Sequence, residues 1–141
     1  MTLSPPFSAV SADTADDEIE GLLETMTLKD LVDAGMATFC TRFDPAAAGS
    51  LDGVIQWEVG DPTNRERQQL VVDAGACHTV AIRDDDDEPP RRAHVLLSAT
   101  PIEFVRVVAG VADPIELFTA GRVLIAGNLP LARAFASWFP T

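Results

Sequence analysis

Positive charge is what this sequence has least of. Its 141 residues carry 10 Lys and Arg against 22 Asp and Glu, a net charge of −12 at pH 7. That balance repels phosphate backbones and anionic lipid surfaces, which argues against nucleic acid as a partner. Cysteine is scarce: Cys40 falls in a helical pattern and Cys77 in a strand pattern, and the pair reads as two buried thiols of a reducing cytoplasm. The opening "MTLSPPFSAVSA" has no basic segment and no long apolar run. Neither a signal peptide nor a membrane span is expected, so the reading is a cytoplasmic protein without stable membrane insertion. Also missing are a serine in a nucleophile elbow, a thiol followed by a His signature, a Gly-rich phosphate loop and a cluster of metal ligands. No catalytic residue, cofactor or metal is therefore assigned.

The acids that are present are unevenly placed. They crowd "ADTADDEIEGLLE", 12–24, and "DDDDE", 84–88, whereas 89–141 hold only Glu103, Asp113 and Glu116 against five arginines. Dense like charge stays solvated. The run 84–88 lacks the alternating ligands and turn glycine of an EF-hand loop, so it is read as surface rather than as a Ca²⁺ site. Residues 1–18, with adjacent prolines and few large apolar groups, read as a disordered acidic tail whose removal should change little. Residues 19–141 read as one domain.

Within that domain the period of the apolar residues changes several times. "TLKDLVDAGMATFCTRF" opens on a Thr27…Asp30 cap and puts Leu31, Val32, Phe39 and Phe43 on or near one stripe, which predicts a helix over 27–43. "GVIQWEVG", 53–60, alternates Ile55, Trp57 and Val59 with Gln56 and Glu58, a half-buried strand. Strands follow at "QQLVVDAG", 68–75, "CHTVAIR", 77–83, and "AHVLLS", 93–98. "ATPIEFVRVVAG" then starts a helix with Thr100 as cap, Pro101 in the first turn and Glu103 completing a capping box, and Gly110 stops it. "DPIELFTAG" repeats the device from Asp113 to Gly121. The helix after Pro101 is apolar over more than half its circumference and must touch more than a sheet. The chain closes on a short strand, 123–126, and a helix bearing Leu131, Phe135, Trp138 and Phe139 on one face.

This order, and above all "VAGVADPIELFTAGRVLIAGNLPLARAF" with "LDGVIQWEV" ahead of it, resembles the sterol carrier protein type 2 family, the non-specific lipid-transfer or sterol-binding domain, in a bacterial stand-alone form. The resemblance covers about 27–139. Asn128 stands where the family often has Asp, and "RRAHVLL" lacks the usual Asp before its strand. The resemblance implies an α+β fold: a five-stranded mixed, mostly antiparallel sheet with helices on one face, enclosing an apolar tunnel. It also implies a hydrophobic small-molecule ligand, namely a fatty acid, acyl-CoA or sterol-like lipid.

On this reading the ligand would be lined by Phe39, Trp57, Ile102, Val105, Val108, Phe118, Ile125, Leu131, Phe135 and Trp138, because lipid pockets are mostly apolar with few polar anchors. The same residues would equally fill a dense core. The terminal helix would be the lid. Arg91 and Arg92 are available for a ligand carboxylate or a CoA phosphate, or are an ordinary exposed pair. A hairpin centred on Asp86 would bring His78 and His94 together as a base or metal pair, but the family's sheet puts the fourth strand beside the first and separates them. Two alternatives to a carrier stay open: a cyclase or isomerase using the same cavity, since a closed apolar site with one carboxylate can host such chemistry, and a dimerisation or scaffold module. Monomer and homodimer are both compatible with the sequence.

Overall fold

β1 (Gly53–Asp61) is the centre of a five-stranded sheet of order β3-β2-β1-β4-β5. The computed structural model describes residues 7–11, 13–49, 51–61, 63–82 and 91–139, so the acidic run 84–88 lies outside the described residues. β2 (Asn64–Asp73) and β3 (Ala76–Ile82) follow β1 as antiparallel neighbours. The link between them is two residues long, Ala74 at φ 53° and Gly75 at φ 77°. Positive φ at both positions is what a hairpin turn matching the strand twist requires. β4 (Val95–Ala99) crosses to the other side of β1 and runs parallel to it, and β5 (Leu124–Gly127) closes the far edge antiparallel to β4. This is the mixed, mostly antiparallel sheet that the resemblance implies.

The helices lie on one face. Strand alternation delivers Ile55, Trp57, Val59, Leu70, Val72, Val95 and Leu97 to that side, all buried. The opposite face is less wet than the alternation suggests. Gln56 is only 4% exposed, because Gln69 Nε2 donates to its Oε1 at 3.1 Å and also to the Arg91 carbonyl at 2.7 Å. The pairing offsets much of the cost of burying these amides, although Gln69 Oε1 has no partner among the described residues.

α2 (Leu28–Arg42) begins where the Thr27 hydroxyl accepts from the Asp30 N–H, and it crosses the sheet over β2 and β3. Its middle carries Gly35, where a Cβ would stand 2.4 Å from the Phe104 ring. The glycine thus sets how closely α2 approaches α4 (Pro101–Ala109). α3 (Pro45–Ala48) is a single turn, and α5 (Pro114–Thr119) starts at the Asp113 cap. α6 (Leu129–Ser137) starts at Asn128, whose Oδ1 accepts from the Leu131 N–H. Thr100 caps α4 as expected, but the Glu103 side chain does not complete a capping box; it pairs with Arg122 instead.

The N-terminal segment departs from the expectation of a disordered tail through residue 18. A 3-10 turn (Phe7–Ala9) and α1 (Asp16–Leu23) lie against α4. Phe7 is 1% exposed and belongs, with Val10 and Ile19, to the same buried cluster as Phe104, Val105 and Val108. The physical reason is that the few large apolar groups of an otherwise polar segment are the ones that dock. They cover the surplus apolar arc of α4 that the sequence assigned to a tunnel. Among the described residues, no helix is long and apolar enough to cross a membrane.

Candidate functional site

The last turn of α2, the end of α4, the start of α5 and the close of α6 meet around a cluster of rings. Phe39 stacks on Trp57 with centroids 5.9 Å apart and meets Phe104, Phe135 and Phe139 edge-on at 5.5–6.3 Å. Beside this cluster the chain must turn sharply twice. Gly110, at φ 79°, ends α4, and Asp113 Oδ1 accepts from the Ile115 N–H to start α5. The space left between the turns is a cavity of about 310 Å³, lined by Phe39, Val107, Val111, Phe135 and Phe139 together with Arg42, Asp113 and Glu116.

Arg42 supplies the unusual chemistry of this cavity. Its guanidinium carbon lies 5.8 Å from the centre of the Phe39 ring. Its Nε and Nη1 are buried and have no hydrogen-bond partner among the described residues. Burial pulls its pKa down from the ordinary arginine value, yet a guanidinium stays charged in a protein. Buried donors without partners cost about 1–3 kcal/mol, more when charged. An anion entering the cavity would relieve that cost, and the planar fork of the guanidinium suits a carboxylate or phosphate.

A second, wider cleft of about 670 Å³ lies where α1 meets the start of α4, with Leu23, Pro101 and Ile102 as its apolar part. Here charges pair within the chain, although Glu103 Oε2 and Arg106 Nε are buried without a hydrogen-bond partner among the described residues. Arg122 donates to Glu103, whose side chain is only 7% exposed, and Arg106 donates to Asp16. These two bonds tie α4 to the segment before β5 and to α1.

The structure distributes the sequence-derived lining residues over several places. Phe39 and Phe135 come together on the wall of the Arg42 cavity, whereas Ile102 lines the second cleft. Trp57, Val105, Val108, Ile125 and Trp138 are buried in the core, and Phe118 and Leu131 are half-buried around it. The rings of Phe39, Trp57, Phe104, Phe135 and Phe139 occupy the space between sheet and helices where the resemblance puts a tunnel. His78 sits on β3 opposite Val71, while His94 Nδ1 accepts from the Val54 N–H at 3.0 Å. β1 and β2 stand between them, so they form no pair. Arg91 and Arg92 are exposed.

Sequence reasoning missed Arg42 as a site residue, although a signal was there. It lies three residues after Phe39, so one charged group sits at the end of an apolar stripe. It also missed that Cys40 and Cys77 face each other, with Sγ atoms 2.7 Å apart. Nothing local in a helix and a strand separated by 37 positions announces that contact.

A model of the SCP-2 sterol transfer family matches residues 37–140. Among solved structures, a stereoselective inverting sec-alkylsulfatase from a Pseudomonas species is similar over 78% of this chain at 17% identity and a TM-score of 0.61; the match spans only 16% of the sulfatase. The palmitated SCP2L2 protein of Aedes aegypti is similar over 79% of this chain and 92% of its own, at 13% identity and a TM-score of 0.55. Sterol carrier protein 2 of Yarrowia lipolytica is similar over 79% of this chain and 89% of its own, at 15% identity and a TM-score of 0.50. At such identities the likeness is one of fold. No curated protein matches the chain.

Proposed function

The chain belongs to the SCP-2 sterol transfer family, and from that premise we propose that it binds and carries a lipid or other large apolar metabolite that ends in an acidic group. The observation that carries this reading is Arg42, a half-buried cation whose Nε and Nη1 are buried without a hydrogen-bond partner among the described residues, at a largely aromatic- and aliphatic-walled cavity. A fatty acid fits that chemistry better than a sterol does. Its carboxylate would take the Arg42 fork, and its chain would follow Phe39, Val107, Phe135 and Phe139. Near 310 Å³ the cavity is at the small end of ligand pockets, so a long chain requires the wall to move. α6 is the element placed to do so. It supplies Phe135 and leads into Phe139, and its far end is held by the Asp44 N–H donating to the Trp138 carbonyl at 2.7 Å. Val105, Val108, Trp57 and Trp138 would then line the opened space rather than the resting one.

The test compares palmitic acid with hexadecanol, which has the same chain without the charge, by calorimetric titration of the wild type and Arg42→Gln. A hydrogen bond to a charged group contributes about 1.5–3 kcal/mol, so the acid should bind about 10- to 100-fold more tightly than the alcohol. Arg42→Gln should erase that difference while leaving the alcohol unaffected. Equal binding of acid and alcohol by the wild type would remove Arg42 from the site, and no binding of either would refute the carrier reading.

A further inference from the structure

We propose that Cys40 and Cys77 form an oxidation site, in which a hydroperoxide converts two facing thiols into a disulfide that staples α2 to β3. The register puts Cys77 opposite Val72, hence on the face that the helices cover, and α2 runs over this part of the sheet. Cys40 meets it from the last turn of α2. The two Sγ atoms, at 2.7 Å, are within about 0.7 Å of the covalent S–S length. Both residues are only half-buried, so a small peroxide can reach them.

Either sulfur can donate in this contact. With Cys77 S–H as the donor, the Cys40 thiol is held below its ordinary pKa against the opposing pull of burial. The same contact, together with burial, pushes Cys77 up. In that arrangement Cys40 is the thiolate that reacts first. It attacks one peroxide oxygen, the O–O bond breaks, and Cys40 becomes a sulfenic acid while an alkoxide or hydroxide leaves and is protonated. The Cys77 sulfur then attacks the Cys40 sulfur, the S–S bond forms, and hydroxide leaves with the Cys77 proton as water. Two thiols and one hydroperoxide give one disulfide, one alcohol or water, and one further water. Two electrons pass from sulfur to the peroxide, and a dithiol reductant reverses the change.

The linkage has a consequence for the neighbouring cavity, and this part rests on the proposed ligand site. Phe39 precedes Cys40 and Arg42 follows it by two residues, so the disulfide would pin the turn that carries both.

The experiment uses the reduced full-length protein, one equivalent of hydrogen peroxide, and mass spectrometry of the intact protein and of its proteolytic peptides. The expected result is a loss of two hydrogens, about 2 Da, resistance to alkylation, and a cross-linked peptide joining Cys40 to Cys77. The oxidised protein should melt about 5–15 °C higher, as a loop of this size closed by an unstrained bond predicts. Cys77→Ser should instead stop at a dimedone-reactive sulfenic acid on Cys40. Full alkylation of both thiols after peroxide, a gain of oxygen without the cross-link, or linkage only between molecules would overturn the proposal. Palmitate exchange that is slower in the oxidised than in the reduced protein supports the coupling to the cavity. Equal rates refute that coupling, while the mass and melting results decide the disulfide independently of any ligand.

Discussion

The two ends of α4 put charge to opposite uses. At its start, Glu103 is buried and Arg122 donates to it, while Arg106 reaches Asp16 on α1. At its far end, beyond Val107 and Gly110, half-buried Arg42 has two buried donor nitrogens that nothing described in the chain accepts. A buried charge paired within its own chain holds elements together, and removing its exposed partner leaves the buried group to bear the desolvation cost. A buried charge left unanswered beside a cavity costs the fold something and is of use only when a ligand arrives. The covers differ in the same sense. A 3-10 turn and α1 pack on α4 through Phe7, Val10 and Ile19, leaving the wider cleft at its start edged by paired charges. The far end lies beside α6, whose aromatic rings wall a hollow.

The largest expected effect comes from removing one of these covers. Deleting 128–141 takes away Phe135, Trp138 and Phe139, each contributing on the order of 1.5–3 kcal/mol of burial, together with the Trp138 carbonyl that receives Asp44. The sum approaches the whole stability of a small domain, so the truncated protein should show no cooperative melt by circular dichroism. A melt near that of the full chain would mean that α6 covers nothing essential.

Phe7→Ala tests the other cover. A fully buried phenylalanine truncated to alanine costs about 3–5 kcal/mol, which chemical denaturation reads directly. An unchanged midpoint would return the N-terminal segment to the solvated tail that its composition suggests and reopen the α4 arc as ligand surface.

The two arginines sharpen the contrast further. Arg122→Met strands the Glu103 carboxylate; with Arg122 itself 47% exposed, the loss should be reduced to about 1–3 kcal/mol. Arg42→Met removes a charge whose Nε and Nη1 have no hydrogen-bond partner among the described residues, and keeps an apolar chain beside Phe39, so stability should change by less than about 0.5 kcal/mol or rise. Urea midpoints of both variants decide the matter, and a cost for Arg42→Met equal to that for Arg122→Met would mean that Arg42 serves the fold. The smallest effect is expected at the histidines. His78→Gln and His94→Gln should each leave palmitate affinity within about threefold, a difference under 1.4 kcal/mol. Loss of binding in either would restore a functional histidine.

Much of this architecture is legible along the chain because it is local. Thr27, Thr100, Asp113 and Asn128 cap helices through bonds reaching two or three residues. Gly110 stops α4 where positive φ is needed, and Ile55, Trp57 and Val59 alternate toward one face, whereas the turn at Ala74 and Gly75 falls inside what reads as a strand. The cap, stop and alternation signals read correctly since the forces behind them span one turn of helix or one strand. The same is true of the closing helix, whose Phe135 and Trp138 fall on the buried face that the spacing predicts.

What the sequence by itself determined, then, is the list and order of elements and which face of each is apolar. Only the tertiary structure decided which apolar face meets which. An apolar arc has no address, so the surplus on α4 reads equally as cavity lining or as a seat for Phe7 and Val10, and the difference is settled by where the N-terminal segment lies. A charged residue on a stripe likewise says nothing of its partner. Glu103 became a structural group because Arg122, 19 residues away, reached it. Arg42 became a candidate anchor because no acceptor did, and Cys40 met Cys77 because α2 crosses β3. Each outcome turns on side chains distant in the chain meeting within a few ångströms, where desolvation and pairing are decided, and packing alone sets those meetings.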